Sequence, residues 1–286
     1  MRIENPVILL PSGESQLARL MYRCREKTMI RHCTPPAKII SRSAIPRCLL
    51  LVILLCSQAM AQETKQKAAA DRKKRPQQPA LVQVEEQAGL PRVLLIGDSI
   101  SIGYTLPVRE LLKGKANVIR PLTNCGPTTR GVESIDEWLG DGQWDVIHFN
   151  FGLHDMVFFA ADAKTRAEPS VEGARHQVSV EDYEANLRKL VDRLKQTKAQ
   201  LIWCTTTPVP EGSGGRIADE AVLYNQIAAK VMEEHGIAVD DLHAFALPRL
   251  KDIQQPKNVH FTPEGSKVLA GEVVRSIEAA LAAKKE

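Results

Sequence analysis

The chain has 286 residues, 44% of them hydrophobic and 25% charged, which is the balance of a globular protein with an ordinary core. No apolar run nears the ~20 residues of a membrane-spanning helix, and the six Cys are too sparse for a disulfide-dense miniprotein. The net charge of +4 is split unevenly: residues 1–61 carry +6, residues 62–80 carry +4 and residues 81–286 carry −6, so the folded part is mildly acidic, against a nucleic-acid partner.

The first segment reads as a leader. Cys48–Cys56 is an unbroken apolar run preceded by Arg42 and Arg47 and followed by Ala59-Met60-Ala61. That is the order of a secretory signal peptide, with cleavage near Ala61 and Met29 as an alternative start. Export to a periplasmic or extracellular location is expected, with no stable membrane span after cleavage. Gln62–Ala80 is polar and charged, and residues 62–88 are expected to form a flexible linker. A folded domain is expected over 89–286. Cleavage would leave two cysteines, Cys125 and Cys204, in a compartment that permits disulfides.

From Arg92 onward, apolar runs alternate with helical patterns. Arg92–Gly97, Ala116–Arg120, Trp144–Phe151, Gln200–Thr206 and Gly236–Asp240 read as five strands. Helical spacing falls over Ile102–Leu112, Val180–Lys195, Asp219–His235 and Pro263–Lys284, and Tyr183, Leu187, Leu190, Val191 and Leu194 share one face. Residues 156–178 and 207–217 read as surface loops. This alternation predicts an α/β fold with a parallel sheet covered on both faces.

Ligands of such sheets bind beyond the carboxyl ends of the strands. The polar residues there are Asp98-Ser99, Asn124-Cys125-Gly126, Gly152-Leu153-His154-Asp155, Thr205-Thr206-Thr207 and Asp240-Asp241. Ser99, between a strand and a helix, can project its hydroxyl while its own N–H faces an anion. By itself the Asp98-Ser99 pair is equally explained as a helix cap.

Four motifs in order change that reading. Gly97-Asp98-Ser99-Ile100, Gly126-Pro127-Thr128-Thr129, Gly152-Leu153-His154-Asp155 and Val259-His260-Phe261-Thr262 together resemble the blocks of the SGNH or GDSL hydrolases across Arg92–Leu281. The resemblance implies a flavodoxin-like sandwich with strand order 2-1-3-4-5. It implies Ser99 as nucleophile and His260 as base, with the N–H groups of Ser99 and Gly126 in the oxyanion hole, Asp98 and Asp155 in support, and no metal or organic cofactor. Two positions depart from the pattern. His154 replaces the third-block Asn, and a neutral imidazole still offers one donor. Lys257 stands where the family carries the Asp that orients the histidine. A Ser99–His260 dyad, a carboxylate from Asp240, Asp241 or Asp252, and a backbone carbonyl all remain open as substitutes.

The remaining candidates take packing readings: His148 mid-strand, Trp144 and Trp203 in the sheet, and Tyr224-Asn225 in a helix. His176, His235 and His243 lack metal-ligand spacing. The resemblance and the leader together imply a secreted serine esterase acting on short acyl esters, acetylated carbohydrate above all. A lipolytic or thioester hydrolase and a non-catalytic glycan-binding protein are the alternatives. The oligomeric state stays open.

Overall fold

A computed structural model describes residues 78–284; the segment read as a leader and most of that read as a linker lie outside the described residues. The sheet contains β1 (Arg92–Ile96), β2 (Asn117–Ile119), β3 (Val146–Phe149), β6 (Gln200–Cys204) and β7 (Ala238–Asp240). Their order is β2-β1-β3-β6-β7, all parallel, which is the expected 2-1-3-4-5 arrangement. Val93–Ile96 and all of β3 are buried, because a strand covered on both faces leaves no position for water.

The connecting helices are α1 (Ser99–Leu111), α2 (Thr128–Leu139), α3 (Val180–Lys195), α4 (Ala221–His235) and the final α7 (Pro263–Ala283); the short α5 (Leu242–Ala246) and α6 (Leu250–Ile253) precede α7. Helix α1 packs on α7, while α3 packs on both α2 and α4. Right-handed crossovers require this division, since the chain moves outward from β1 to β2 and then reverses toward β7. The reversal places the carboxyl ends of β1 and β3 at the switch point of the sheet, where such folds open a crevice.

Two expectations are corrected. The region 156–178 is a pinned flap. Met156, Val157 and Phe158 are buried, and β4 (Phe158–Phe159) pairs antiparallel with β5 (Arg175–His176). Phe158 also donates its N–H to the Gly215 carbonyl, tying the flap to the loop before α4. Helix α2, in turn, occupies a stretch where no helix is expected. Ahead of β1, within the stretch read as linker, Ala80 is buried and Gln87 exchanges two hydrogen bonds with the Asn117 side chain (2.8 and 2.9 Å).

Candidate active site

The turn between β1 and α1 is built to present one hydroxyl. Asp98 caps α1 by accepting the Ile100 N–H at 2.9 Å, so Ser99 becomes the first helical residue. Gly97 is required because a Cβ there would lie 2.7 Å from Ser101 Cβ. Beneath the turn, buried Arg120 donates to Ser101 Oγ and Thr105 Oγ1, each at 2.9 Å, and to the Gly97 carbonyl at 3.1 Å. Its hydrogen bonds go to neutral acceptors, and burial lowers its pKa against the opposing pull of Cys125, Tyr104 and Asp98. The arginine braces the strand end and the first turn of α1 as one unit.

His260 meets Ser99 from the opposite side. Its Nε2 lies 2.9 Å from Ser99 Oγ, and its Nδ1 lies 2.7 Å from Asn258 Oδ1. An amide oxygen only accepts, so Nδ1 carries the hydrogen and Nε2 is left as the acceptor. Asn258 is fixed in turn: its Nδ2 donates to Gln255 Oε1 at 3.2 Å, and its Oδ1 also accepts the His260 N–H at 3.1 Å. The orienting group is therefore a side-chain amide. None of the three carboxylates expected as substitutes bonds to His260 Nδ1, and neither does a backbone carbonyl of the described residues. Asp240 is buried against His148 (2.9 Å) and Ser276 (3.1 Å). Asp241 caps α5 and accepts from Thr205. Asp252 lies exposed on α6. Lys257 has φ 53° and packs its stem against Gly212.

Ser99, His154, His260 and Asn124 line one cleft of about 870 Å³. The family model for GDSL-like lipases/acylhydrolases matches residues 95–268. The chain belongs to the GDSL-like lipase/acylhydrolase family, and is thus a carboxylic ester hydrolase by membership. A GDSL esterase/lipase of Arabidopsis thaliana is 28% identical over 221 residues, which are 65% of this chain and 84% of that protein. Among solved structures, the acetyl xylan esterase AlAXEase is 16% identical, with a TM-score of 0.52 over 65% of this chain and 99% of that one. A lipase/acylhydrolase from Enterococcus faecalis is 20% identical, with a TM-score of 0.54 over 66% and 96%. The acetylxylan esterase Axe2 from Geobacillus stearothermophilus is 19% identical, with a TM-score of 0.52 over 65% and 94%. At these identities the structures share the fold.

The other GDSL positions are held by identifiable contacts. Gly152 has φ 139°, and a Cβ there would fall 2.4 Å from Thr206 Oγ1, which itself donates to the Phe151 carbonyl at 3.0 Å. Only glycine passes the chain between β3 and β6 toward His154. Burial holds the His154 imidazole below its usual pKa; Asp98 pulls the other way, and Arg216, Arg166 and His260 add to the depression. His154 is thus neutral at pH 7, with one N–H to give. Asp155 is fully buried and accepts both the N–H (2.8 Å) and the hydroxyl of Thr128, tying the β3 loop to the start of α2. Burial pushes its carboxyl up to about 6, against the opposing Thr128 hydrogen bonds.

Gly126 departs from expectation. Its N–H, expected in the oxyanion hole, donates to Asn124 Oδ1 at 2.9 Å and so already has an acceptor. His148, Trp144, Trp203 and Tyr224 are buried packing residues, as their sequence contexts imply. Asn225 clamps the Thr206 backbone with two 2.8 Å hydrogen bonds. Sequence reasoning passed over Asn258, Arg120, Arg166 and Arg216. The preference of turns for Asn was the one signal that pointed to Asn258.

Proposed function

We propose that the protein is an exported serine esterase that cleaves short acyl esters, acetyl groups on carbohydrate foremost, through an acyl-enzyme. One observation carries the reading: Ser99 Oγ at 2.9 Å from His260 Nε2, with Nδ1 at 2.7 Å from Asn258 Oδ1. His260 accepts the Ser99 proton as the oxygen attacks the ester carbonyl. Negative charge gathers on the carbonyl oxygen, toward the Ser99 N–H at the start of α1 and the His154 N–H. Gly126 adds a third donor once Asn124 Oδ1 yields to the oxyanion. His260 then protonates the departing alcohol, and its bare Nε2 next takes a proton from water, which attacks the acyl-Ser99 carbonyl. Asn258 keeps Nδ1 protonated throughout, the role a carboxylate fills elsewhere, but without a full opposing charge.

Export is supported by the basic, apolar and small-residue order of residues 42–61. The acetyl-carbohydrate preference is supported by the fold shared with proteins described as acetyl xylan esterases. A lipolytic reading gains one observation of its own. Ser99 and His260 also border a second groove of about 630 Å³, lined by Leu81, Ile102 and Leu106. The test is hydrolysis of p-nitrophenyl esters from acetate to octanoate by wild type and Ser99→Ala. Turnover that is greatest for acetate and absent in the variant supports the proposal. A maximum at octanoate favours the lipolytic reading, and equal rates for the two proteins refute Ser99 as nucleophile.

A further inference from the structure

Three separate loops bring cations to the nucleophile's cleft. Arg166 comes from the flap, Arg216 from the loop before α4, and Lys257 from the turn before His260. One acid, Glu168, lines the same cleft, and its Oε1 accepts the Gly215 N–H at 3.2 Å. Among the described residues, none of these four forms a salt bridge. The cleft is therefore net positive within a domain segment, 81–286, whose net charge is −6.

The cations are seated by the backbone. Arg216 Nε donates to the Leu153 carbonyl at 2.9 Å, which fixes the guanidinium beside His154. The glycines of the 212–215 turn make room for the other two stems. A Cβ at Gly215 would lie 2.9 Å from Arg166 Cγ, and one at Gly212 would lie 3.1 Å from Lys257 Cγ. Arg166 and Arg216 are close enough that burial and the neighbouring Arg166 charge push Arg216 down to about 10. Holding two like charges together costs free energy, which Asp98 offsets only in part. A bound anion removes that cost and gains charge-assisted hydrogen bonds.

We propose that the cleft binds an anionic group, carboxylate or sulfate, carried by the substrate beside its scissile ester. The preferred substrates are then acyl esters of acidic molecules, with the anion on either the alcohol or the acyl side. This inference rests on the esterase reading, and it adds a charge requirement that the Ser99–His260 pair does not impose.

The test compares kcat/KM, normalised to spontaneous hydrolysis, within two matched pairs on the full chain. 4-Acetoxybenzoate against its methyl ester reads an alcohol-side anion. p-Nitrophenyl hydrogen fumarate against p-nitrophenyl methyl fumarate reads an acyl-side anion, because the trans double bond keeps the carboxylate from attacking its own ester. One anionic member should be favoured by about tenfold or more, the scale of one charge-assisted hydrogen bond. That ratio should fall several-fold in Arg166→Gln and Arg216→Gln, and again in 0.5 M salt as screening shortens the reach of the charges. Arg166 is exposed, so its variant reads the charge even if Arg216→Gln disturbs the Leu153 contact. Binding of 4-acetoxybenzoate to Ser99→Ala, followed by calorimetry, reads the site without turnover. Hydrolysis of the neutral esters with no anionic preference, or a preference untouched by both Arg variants, overturns the anion site and leaves the esterase standing. Anion binding without turnover of any ester overturns the esterase reading instead.

Discussion

Replacing Asn258 by Asp keeps the shape of the His260 contact and adds a full negative charge to it. In the wild type, Asn258 Oδ1 lies 2.7 Å from His260 Nδ1. The carboxylate centre of the variant would sit ~4 Å from the centre of the imidazolium charge that forms during attack. At a dielectric of ~40–80, fitting for an exposed histidine, that separation gives about 1–2 kcal/mol of added stabilisation. The acid limb of the kcat/KM profile should therefore move up by about one pH unit, since charged imidazole cannot accept the serine proton. The plateau rate should hold or rise up to about tenfold, because the same attraction acts in the transition state. One cost opposes this. Asp cannot donate to Gln255 Oε1 as the Asn258 Nδ2 does at 3.2 Å, so up to about 1 kcal/mol of stability is lost. Asn258→Ala should lower the plateau about tenfold, the scale of one neutral hydrogen bond. The assay is p-nitrophenyl acetate hydrolysis from pH 4 to 9 for the three proteins. An unmoved acid limb in Asn258→Asp, together with full activity in Asn258→Ala, would refute Asn258 as the residue that positions the base.

His154→Ala should lower kcat about 10²–10³-fold through loss of an oxyanion donor, while His154→Asn restores most of it; equal kcat for wild type and Ala variant would reduce His154 to cleft lining. Asp155 should destabilise the fold as pH rises from 4 to 7, because its native carboxyl near 6 releases its proton later than the unfolded one at 3.8. That difference amounts to about 3 kcal/mol, so chemical denaturation of Asp155→Asn should show a correspondingly weaker loss over the same range, and parallel profiles would contradict it. Cys125 and Cys204 are buried and free, and burial pushes the Cys125 thiol up to about 11. Protein beginning after Ala61 should therefore show no thiol reactive to Ellman's reagent when folded and two in denaturant; none in denaturant would reveal a disulfide.

The parts legible in the sequence share a physical cause. Strands β1 and β3 are buried on both faces, so each is a continuous apolar run that turn residues bound cleanly. Helix α3 has five large apolar residues on one face, and its observed ends match those expected. Helix α2 buries Thr128, Gly131, Ile135, Trp138 and Leu139, which is a regular helical stripe. Two of those positions hold Thr and Gly, however, so hydrophobicity does not reveal the pattern. Gly131 is small because a Cβ there would meet the Phe151 ring at 2.8 Å, a contact between segments far apart in sequence. The flap strands are two residues long, too short for alternation to register. Ser99 and His260 were readable because their blocks carry local signatures. Asn258 was not, because the family spacing marks a carboxylate at position 257, where this chain has a lysine. The chain turns at Lys257 with φ 53°, and the residue after it supplies the acceptor. Arg166 and Arg216 read as ordinary surface charges until the flap is folded over the 212–215 turn.

The proposed mechanism rests on Ser99 as nucleophile and His260 as its base. A fluorophosphonate probe followed by peptide mass spectrometry tests this directly, because phosphonylation traps the attacking oxygen whatever the natural ester. One adduct per chain is expected, on the peptide containing Ser99, with labelling slowed by orders of magnitude in His260→Ala and absent in Ser99→Ala. No adduct on the native protein, or an adduct on another residue that persists in Ser99→Ala, would contradict it.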